Sequence, residues 1–181
     1  MKIGIVGNYG NDNNGDEAIL LSIIRQLQKV FQIDTQNITV FSNNPKQTAE
    51  RYSVQSAPLY YKNGNAVKTF AKTYKENSKV VKNLDFVVIG GGGILMDLYK
   101  REAPLYGSYA MMAHNNNVPY VVYGCGAGPL NTGLGKWFIR YMAKHAQNIS
   151  VRDPQSQTLL KSIGVKRDVP VIGDPAFSLE V

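Results

Sequence analysis

Cysteine, histidine and tryptophan are scarce in this sequence: one, two and one among 181 residues. The single thiol, Cys125, excludes an internal disulfide framework and supplies no cysteine cluster for zinc. It lies inside a glycine loop with no histidine beside it in sequence, which reads as a small buried thiol rather than a nucleophile. His114 borders an asparagine-rich helix end and His145 falls in a last helical turn, where a cation complements the helix dipole. Both read as surface residues, and no metal cluster is expected. No apolar run is long enough to span a bilayer, and the chain enters a strand directly after Met1, so neither a membrane span nor a signal peptide is expected. The net charge of +7 suits anionic ligands or surfaces. No Lys/Arg cluster with interleaved aromatics resembles a nucleic-acid module, so nucleic acid is not an expected partner. With 44% hydrophobic and 18% charged residues, the composition is that of a soluble globular protein long enough for one domain, and the single cysteine with no expected signal peptide or span leads to an expected cytoplasmic location.

Glycine, in contrast, is plentiful, and its placement is informative. The sequence opens with Lys2-Ile-Gly-Ile-Val6, which reads as a buried strand, followed by the polar loop Gly7-Asn-Tyr-Gly-Asn-Asp-Asn-Asn-Gly-Asp-Glu17. A helix is expected from Asp16 to Phe31, with Leu20, Ile23, Ile24, Leu27 and Phe31 on one face. Strand, glycine loop and helix open an α/β sheet, whose ligands bind beyond the carboxyl ends of the strands. Gly10 to Gly15 has P-loop spacing, but Asp16-Glu17 stand where that motif needs Lys and Ser/Thr. The dinucleotide fingerprint G-x-G-x-x-G is also absent, and the expected second strand, Asn37 to Phe41, lacks an acidic ribose ligand. The unpaired amides of a helix start suit an anion. Glu17 equally suits the helix dipole alone, whereas Asp16, directly after Gly15, is placed to face a crevice.

Further along, Asn43-Asn-Pro45 is turn chemistry and Ser53 to Ala57 an edge-like strand. A helix over Ala66 to Lys82 carries Lys68, Lys72, Lys75, Lys79 and Lys82 in one stripe, with Val67, Phe70, Tyr74 and Val81 on other faces. The stripe reads first as a solvated face and, more sharply, as a docking face for an anionic membrane leaflet. Asp85 to Ile89 is a central strand running into Gly90-Gly-Gly-Gly93 and on to Asp97, either a helix cap or a ligand-facing acid. A helix from Glu102 carries Tyr106, Tyr109 and Met112. The strand Pro119 to Tyr123 ends in Gly124-Cys-Gly-Ala-Gly128. A helix over Gly133 to Ala146 is expected to bury Leu134, Trp137, Phe138 and Tyr141. Ile149 to Val151 is a strand with Arg152-Asp153 at its carboxyl end; Asp153 and Pro154 then start a helix that Gly164 ends. A last strand is expected over Val169 to Ile172. Alternation throughout gives a three-layer α/β domain with a mostly parallel sheet, its glycine-rich and charged loops converging on one crevice.

Asn8-Tyr-Gly-x-x-Asn13-x-Gly15-Asp16-Glu17-Ala18-Ile19, Gly90-Gly-Gly-x-x-x-x-Asp97, Gly124-x-Gly126-x-Gly128-Pro129-Leu130 and Val151-Arg152-Asp153-x-x-Ser156 together resemble the polysaccharide pyruvyl transferase family. The resemblance implies a Rossmann-like domain like one half of a B-type glycosyltransferase fold. It also implies transfer of pyruvate, as a ketal, from phosphoenolpyruvate to a sugar of a cell-wall or exopolysaccharide precursor. No cofactor is implied; phosphoenolpyruvate is the donor substrate, and a saccharide or lipid-linked saccharide the acceptor. The expected donor site comprises Arg152, whose guanidinium matches carboxylate or phosphate, and the loop residues Gly7, Asn8, Asn14, Gly15, Gly91, Gly92, Gly93, Gly126 and Gly128. Asp16 and Asp97 are the expected acid/base groups. Asp174-Pro175-Ala176 resembles the run before an interdomain linker. Residues 1–181 are therefore expected to form one domain, the amino-terminal half, inactive without a second half that brings a histidine acid/base. A nucleotide-sugar glycosyltransferase half and a non-catalytic assembly module are the alternatives. Peripheral contact with the inner face of a membrane is a further expectation.

Overall fold

The computed structural model describes residues 1–179. Six strands, β1 (Ile3–Val6), β2 (Ile38–Ser42), β3 (Gln55–Pro58), β4 (Phe86–Gly90), β5 (Tyr120–Cys125) and β6 (Asn148–Val151), form one sheet in the order β3-β2-β1-β4-β5-β6. Every neighbouring pair is parallel. A parallel sheet is covered on both faces, so its central strands read as continuous apolar runs. Ile3, Ile5, Val6, Val87 and Ile89 accordingly lie fully buried.

The helices are α1 (Asn14–Phe31), α2 (Pro45–Tyr52), α3 (Ala66–Val81), α4 (Glu102–Asn115), α5 (Gly133–His145) and α6 (Pro154–Ser162). From β1 the chain moves outward through β2 to β3, then returns past β1 to β4, β5 and β6. Right-handed crossovers therefore put α1 on one face of the sheet and α3, α4 and α5 on the other. Leu20, Ile23, Ile24 and Leu27 of α1 pack with Ile5, Val40 and Val88. Phe31, expected on that face, stays 39% exposed beside Phe86.

On the opposite face α4 is the buried centre of its layer. Gly107 is where α5 comes closest: a Cβ there would stand 2.4 Å from the Phe138 ring. Phe138 also meets Phe70 of α3, ring centroids 6.3 Å apart, so α3 and α5 close over α4.

Several elements differ from the sequence-based expectations. The Asn43-Asn-Pro45 turn opens a helix: Asn44 caps α2 by accepting from the Gln47 amide at 3.3 Å, with Pro45 in the first turn. Thr48 is the one residue of α2 that is fully covered, so no apolar period announced this helix. Residues 169–172 form a single bridge, Val151 to Val171, instead of a strand. Val67, Leu134 and Trp137, expected to pack inward, are exposed. Among the described residues no helix is long and apolar enough to cross a membrane.

Phe138 is the wedge between three helices, so Phe138→Ala is expected to cost about 3–5 kcal/mol. The measurement is the urea midpoint, falling at unchanged slope.

Candidate functional site

The strand order reverses between β1 and β4, and the loops leaving their carboxyl ends flank the crevice where such sheets bind ligands. The loop after β1 is pinned from several sides. Tyr9 is buried, and its hydroxyl donates to the Gly90 carbonyl. The Tyr9 carbonyl accepts from the Asn43 amide and side chain, both at 2.9 Å. Gly10 N–H donates to Glu17 Oε1 at 2.9 Å, while the Tyr52 hydroxyl donates to Glu17 Oε2 at 2.6 Å. Glu17 is thus a brace for the loop. Burial, then the hydrogen bond and charge of Glu17, push the Tyr52 phenol well above its ordinary range.

The loops after β4 and β5 are zipped together. Gly126 N–H donates to Gly92 O at 2.8 Å, Gly128 N–H to Leu95 O at 2.9 Å, and Leu95 N–H to Gly126 O at 3.2 Å. Gly91 N–H donates to Tyr123 O at 2.9 Å, with φ +75° and a position where a Cβ would stand 2.0 Å from Ile19 Cγ2. The amides of Gly91, Gly126 and Gly128, expected to face the donor, are therefore occupied by the protein's own backbone. Gly7 serves packing: a Cβ there would meet the Tyr9 ring at 2.5 Å.

Asp97 also departs from expectation. Its carboxylate is buried and accepts from Asn131 N–H at 2.8 Å, Thr132 N–H at 2.7 Å and Thr132 Oγ1 at 2.6 Å. Thr132 in turn caps α5 through Gly135 N–H. Burial would raise the Asp97 pKa, but these bonds and Lys136 together hold it below the ordinary value. So engaged, the carboxylate secures the start of α5. Asp153 likewise caps α6 through Ser156 N–H at 2.7 Å, and Ser156 Oγ accepts from Ala127 N–H at 2.8 Å, tying α6 to the β5 loop.

A smaller set faces the crevice. Neither the Gly92 nor the Gly93 amide donates to another described residue, and Gly92 is buried. A buried amide of this kind calls for water or a ligand. Asp16 lies against the same turn: a Cβ on Gly92 would be 3.0 Å from its Oδ1. Asn8 Nδ2 donates to Asp16 Oδ2 at 3.0 Å. Burial raises the Asp16 pKa; the Asn8 bond opposes that, Glu17 and Asp174 add to it, and Arg152 subtracts. Arg152 lies along the Gly126 backbone, where a Cβ would stand 2.7 Å from its Nε. Its ion pairs are loose, 3.4 Å to Asp153 and 3.5 Å to Asp174, and its side chain is 39% exposed. Gly15 N–H is taken by the Asn13 cap at 2.9 Å, so the start of α1 is less open to an anion than expected, and Asn14 is exposed in its first turn.

Asp174 was placed by sequence reasoning before an interdomain linker and given no part in the site. It caps the 3-10 turn Pro175–Ser178 through Ala176 N–H and reaches Arg152; its Asp-Pro pair, like Asp153-Pro154, was the available signal. Cys125 is fully buried, and burial pushes its thiol up to about 12. His114 and His145 lie against each other, centroids 4.1 Å apart and rings tilted by 40°, in an aromatic row with Tyr141 and Trp137, outside the crevice. A groove of about 880 Å³ runs beside that row and is lined in part by Arg140, Lys144 and Arg167. Among the described residues no group of three His, Cys, Asp or Glu side chains could hold a metal ion.

A family model described as polysaccharide pyruvyl transferase matches residues 13–180. Among solved structures, the chain is similar to the UDP-GlcNAc 2-epimerase of Methanocaldococcus jannaschii, at 17% identity and TM-score 0.65, covering 96% of this chain and 46% of that one. It is also similar to HepE of Anabaena, solved in complex with UDP and glucose, at 12% identity and TM-score 0.63, covering 96% and 44%. The chain spans less than half the length of either structure, and likenesses at these identities establish a shared fold. No curated protein sequence matches it.

The two acids should behave oppositely. Asp97, depressed in the folded state, stabilises above the ordinary carboxylate pKa, and that contribution is lost as pH falls through its lower folded value. Asp97→Asn should therefore cost about 1–3 kcal/mol at neutral pH and progressively less in acid. Asp16, raised in the folded state, opposes folding once ionised, so Asp16→Asn should raise the melting midpoint at neutral pH and lose that gain in acid. Paired pH–melting curves for both variants check this.

Proposed function

The chain belongs to the polysaccharide pyruvyl transferase family, and we propose that it forms the phosphoenolpyruvate-binding half of a ketal pyruvyltransferase. The observation that carries this reading is the pair of unpartnered amides, Gly92 and Gly93, at the strand-order reversal, with Arg152 on the neighbouring loop. Phosphoenolpyruvate carries two anionic groups. The amides suit one, through charge-assisted hydrogen bonds, and the guanidinium suits the other bidentately. The loose pairing of Arg152 leaves it available for exchange onto a ligand.

The transfer takes two hydroxyls of one saccharide. C3 of the enol gains a proton, the first hydroxyl oxygen bonds to C2, the C2–O bond to phosphate breaks, and the second hydroxyl closes the ketal. Of the two hydroxyl protons released overall, one balances the proton at C3 and the other leaves with phosphate. A base is needed for the hydroxyls, and Asp16 suits it: burial raises its proton affinity, and a carboxylate of raised pKa is the stronger base. Asn8, donating to Oδ2, orients that carboxylate. The second proton carrier is assigned, by the family resemblance, to a histidine of a second half. The acceptor is a saccharide of a cell-wall or exopolysaccharide precursor, made at the cytoplasmic side.

Binding is tested by thermal unfolding with phosphoenolpyruvate, phosphate and UDP in parallel, since a ligand of the folded state raises the midpoint. Phosphoenolpyruvate should stabilise the protein. Arg152→Ala, losing charge-assisted bonds worth about 1.5–3 kcal/mol, should weaken that affinity roughly tenfold to a hundredfold. Stabilisation by UDP alone, the nucleotide bound to HepE, would replace this reading with a nucleotide-sugar transferase half.

A further inference from the structure

The net charge of +7 is not spread over the molecule. The five lysines of the α3 stripe, counting the Lys82 cap, and three cations of α5 (Lys136, Arg140 and Lys144) stand against one acid, Glu76. These two helices therefore hold the whole excess of +7, and the remaining twelve cations and twelve acids cancel. Glu76 is itself paired, with Lys79 at 2.6 Å, and α5 contains no acid. The stripe lysines are exposed, as are Arg140 and Lys144.

The same layer also bares apolar side chains at one end. Val67 in the first turn of α3 is 77% exposed, and Leu134 in the first turn of α5 is 59% exposed. Trp137 follows one turn later, 44% exposed, and the loop entering α4 adds Leu98 and Tyr99. Helices α3, α4 and α5 all begin at the carboxyl edge of the sheet, so these side chains share one rim. The Phe70–Phe138 contact brings α3 to α5, and Asp97 ties the loop of Leu98 to the start of α5. Lys68, Lys100, Arg101 and Lys136 belong to the same segments. A polyanion in solution would be satisfied by the charge alone and gives no reason to bare tryptophan and leucine. A bilayer of anionic lipid uses both, headgroups pairing with lysine and arginine while aromatic and aliphatic tips enter the interfacial layer.

We propose that the α3–α5 layer docks on an anionic lipid surface, with the rim of Val67, Leu98, Leu134 and Trp137 inserted and the cations of α3 and α5 held against the headgroups. This docking brings the crevice edge of the sheet to the bilayer, where an acceptor carried on lipid would arrive. The inference stands on charge and exposure and does not depend on the proposed reaction.

Trp137 is the sole tryptophan, so its emission reports insertion directly. The protein is titrated with vesicles containing phosphatidylglycerol, with pure phosphatidylcholine vesicles, and with dextran sulfate as a lipid-free polyanion. A blue shift with the anionic vesicles alone, reversed by salt, is the expected result. Replacing Lys72, Lys75 and Lys79 together by Gln should weaken partitioning by roughly fivefold per lysine. Leu134→Ser should reduce both partitioning and the blue shift while circular dichroism stays unchanged. No shift with anionic vesicles, or equal binding to dextran sulfate and vesicles, overturns the inference. A blue shift produced by protein concentration alone assigns the rim to a second copy and overturns it too. The vesicle titration contains no phosphoenolpyruvate, so its outcome and that of the donor-binding test are independent.

Discussion

The carboxyl edge of this sheet depends on main chain lying closer to neighbouring side chains than a Cβ would permit. In the loops after β4 and β5, Gly91 abuts Ile19 of α1, Gly92 abuts Asp16 of α1, and Gly126 lies under Arg152 just beyond β6. A Cβ at any of these positions would stand between 2.0 and 3.0 Å from a neighbouring atom. Gly91 and Gly92 also have positive φ, +75° and +70°, a conformation costly for residues with a Cβ. Close approach lets the loops satisfy one another's amides, and that mutual satisfaction makes the crevice rigid.

Rigidity draws on most of the polar groups present. Asp97, one of the two acids the linear reading gave to catalysis, is committed to backbone amides, as are Glu17, Asp153 and Ser156. Their arrangement preorganises the few groups left over. Asp16 is held by Asn8 at the junction of two loops, in surroundings that disfavour its ionised form. Such a cost to folding is characteristic of a group retained for function, where a substitution that stabilises is expected to impair activity.

Electrostatics divide the molecule in two. The crevice gathers Asp16, Asp153 and Asp174 around one cation, Arg152, whereas the outer layer of α3 and α5 carries the excess of positive charge. In the crevice directed hydrogen bonds and close ion pairs act at short range; the charged outer layer acts over longer range and is screened by salt.

Much of the fold was legible in the linear chain because period and punctuation are local properties. The apolar runs of β1 and β4, the Asp153-Pro154 helix start, and the glycines after β1, β4 and at the end of β5 all report on backbone conformation within a few residues. The family and the three-layer class followed from their order. Where that signal was weak the reading failed: α2 has almost no buried face, and residues 169–172 pair through a single bridge. Exposure of Val67, Leu134 and Trp137 was equally invisible, since an apolar residue in a helix does not declare which neighbour, if any, will cover it. The sequence alone determined the alternation of elements, the glycine loops and the family. Tertiary structure decided which polar groups brace the loops and which face the crevice, because hydrogen bonds such as Asp97 to Thr132 or Tyr9 to Gly90 join residues far apart in the chain, and only folding brings them within reach.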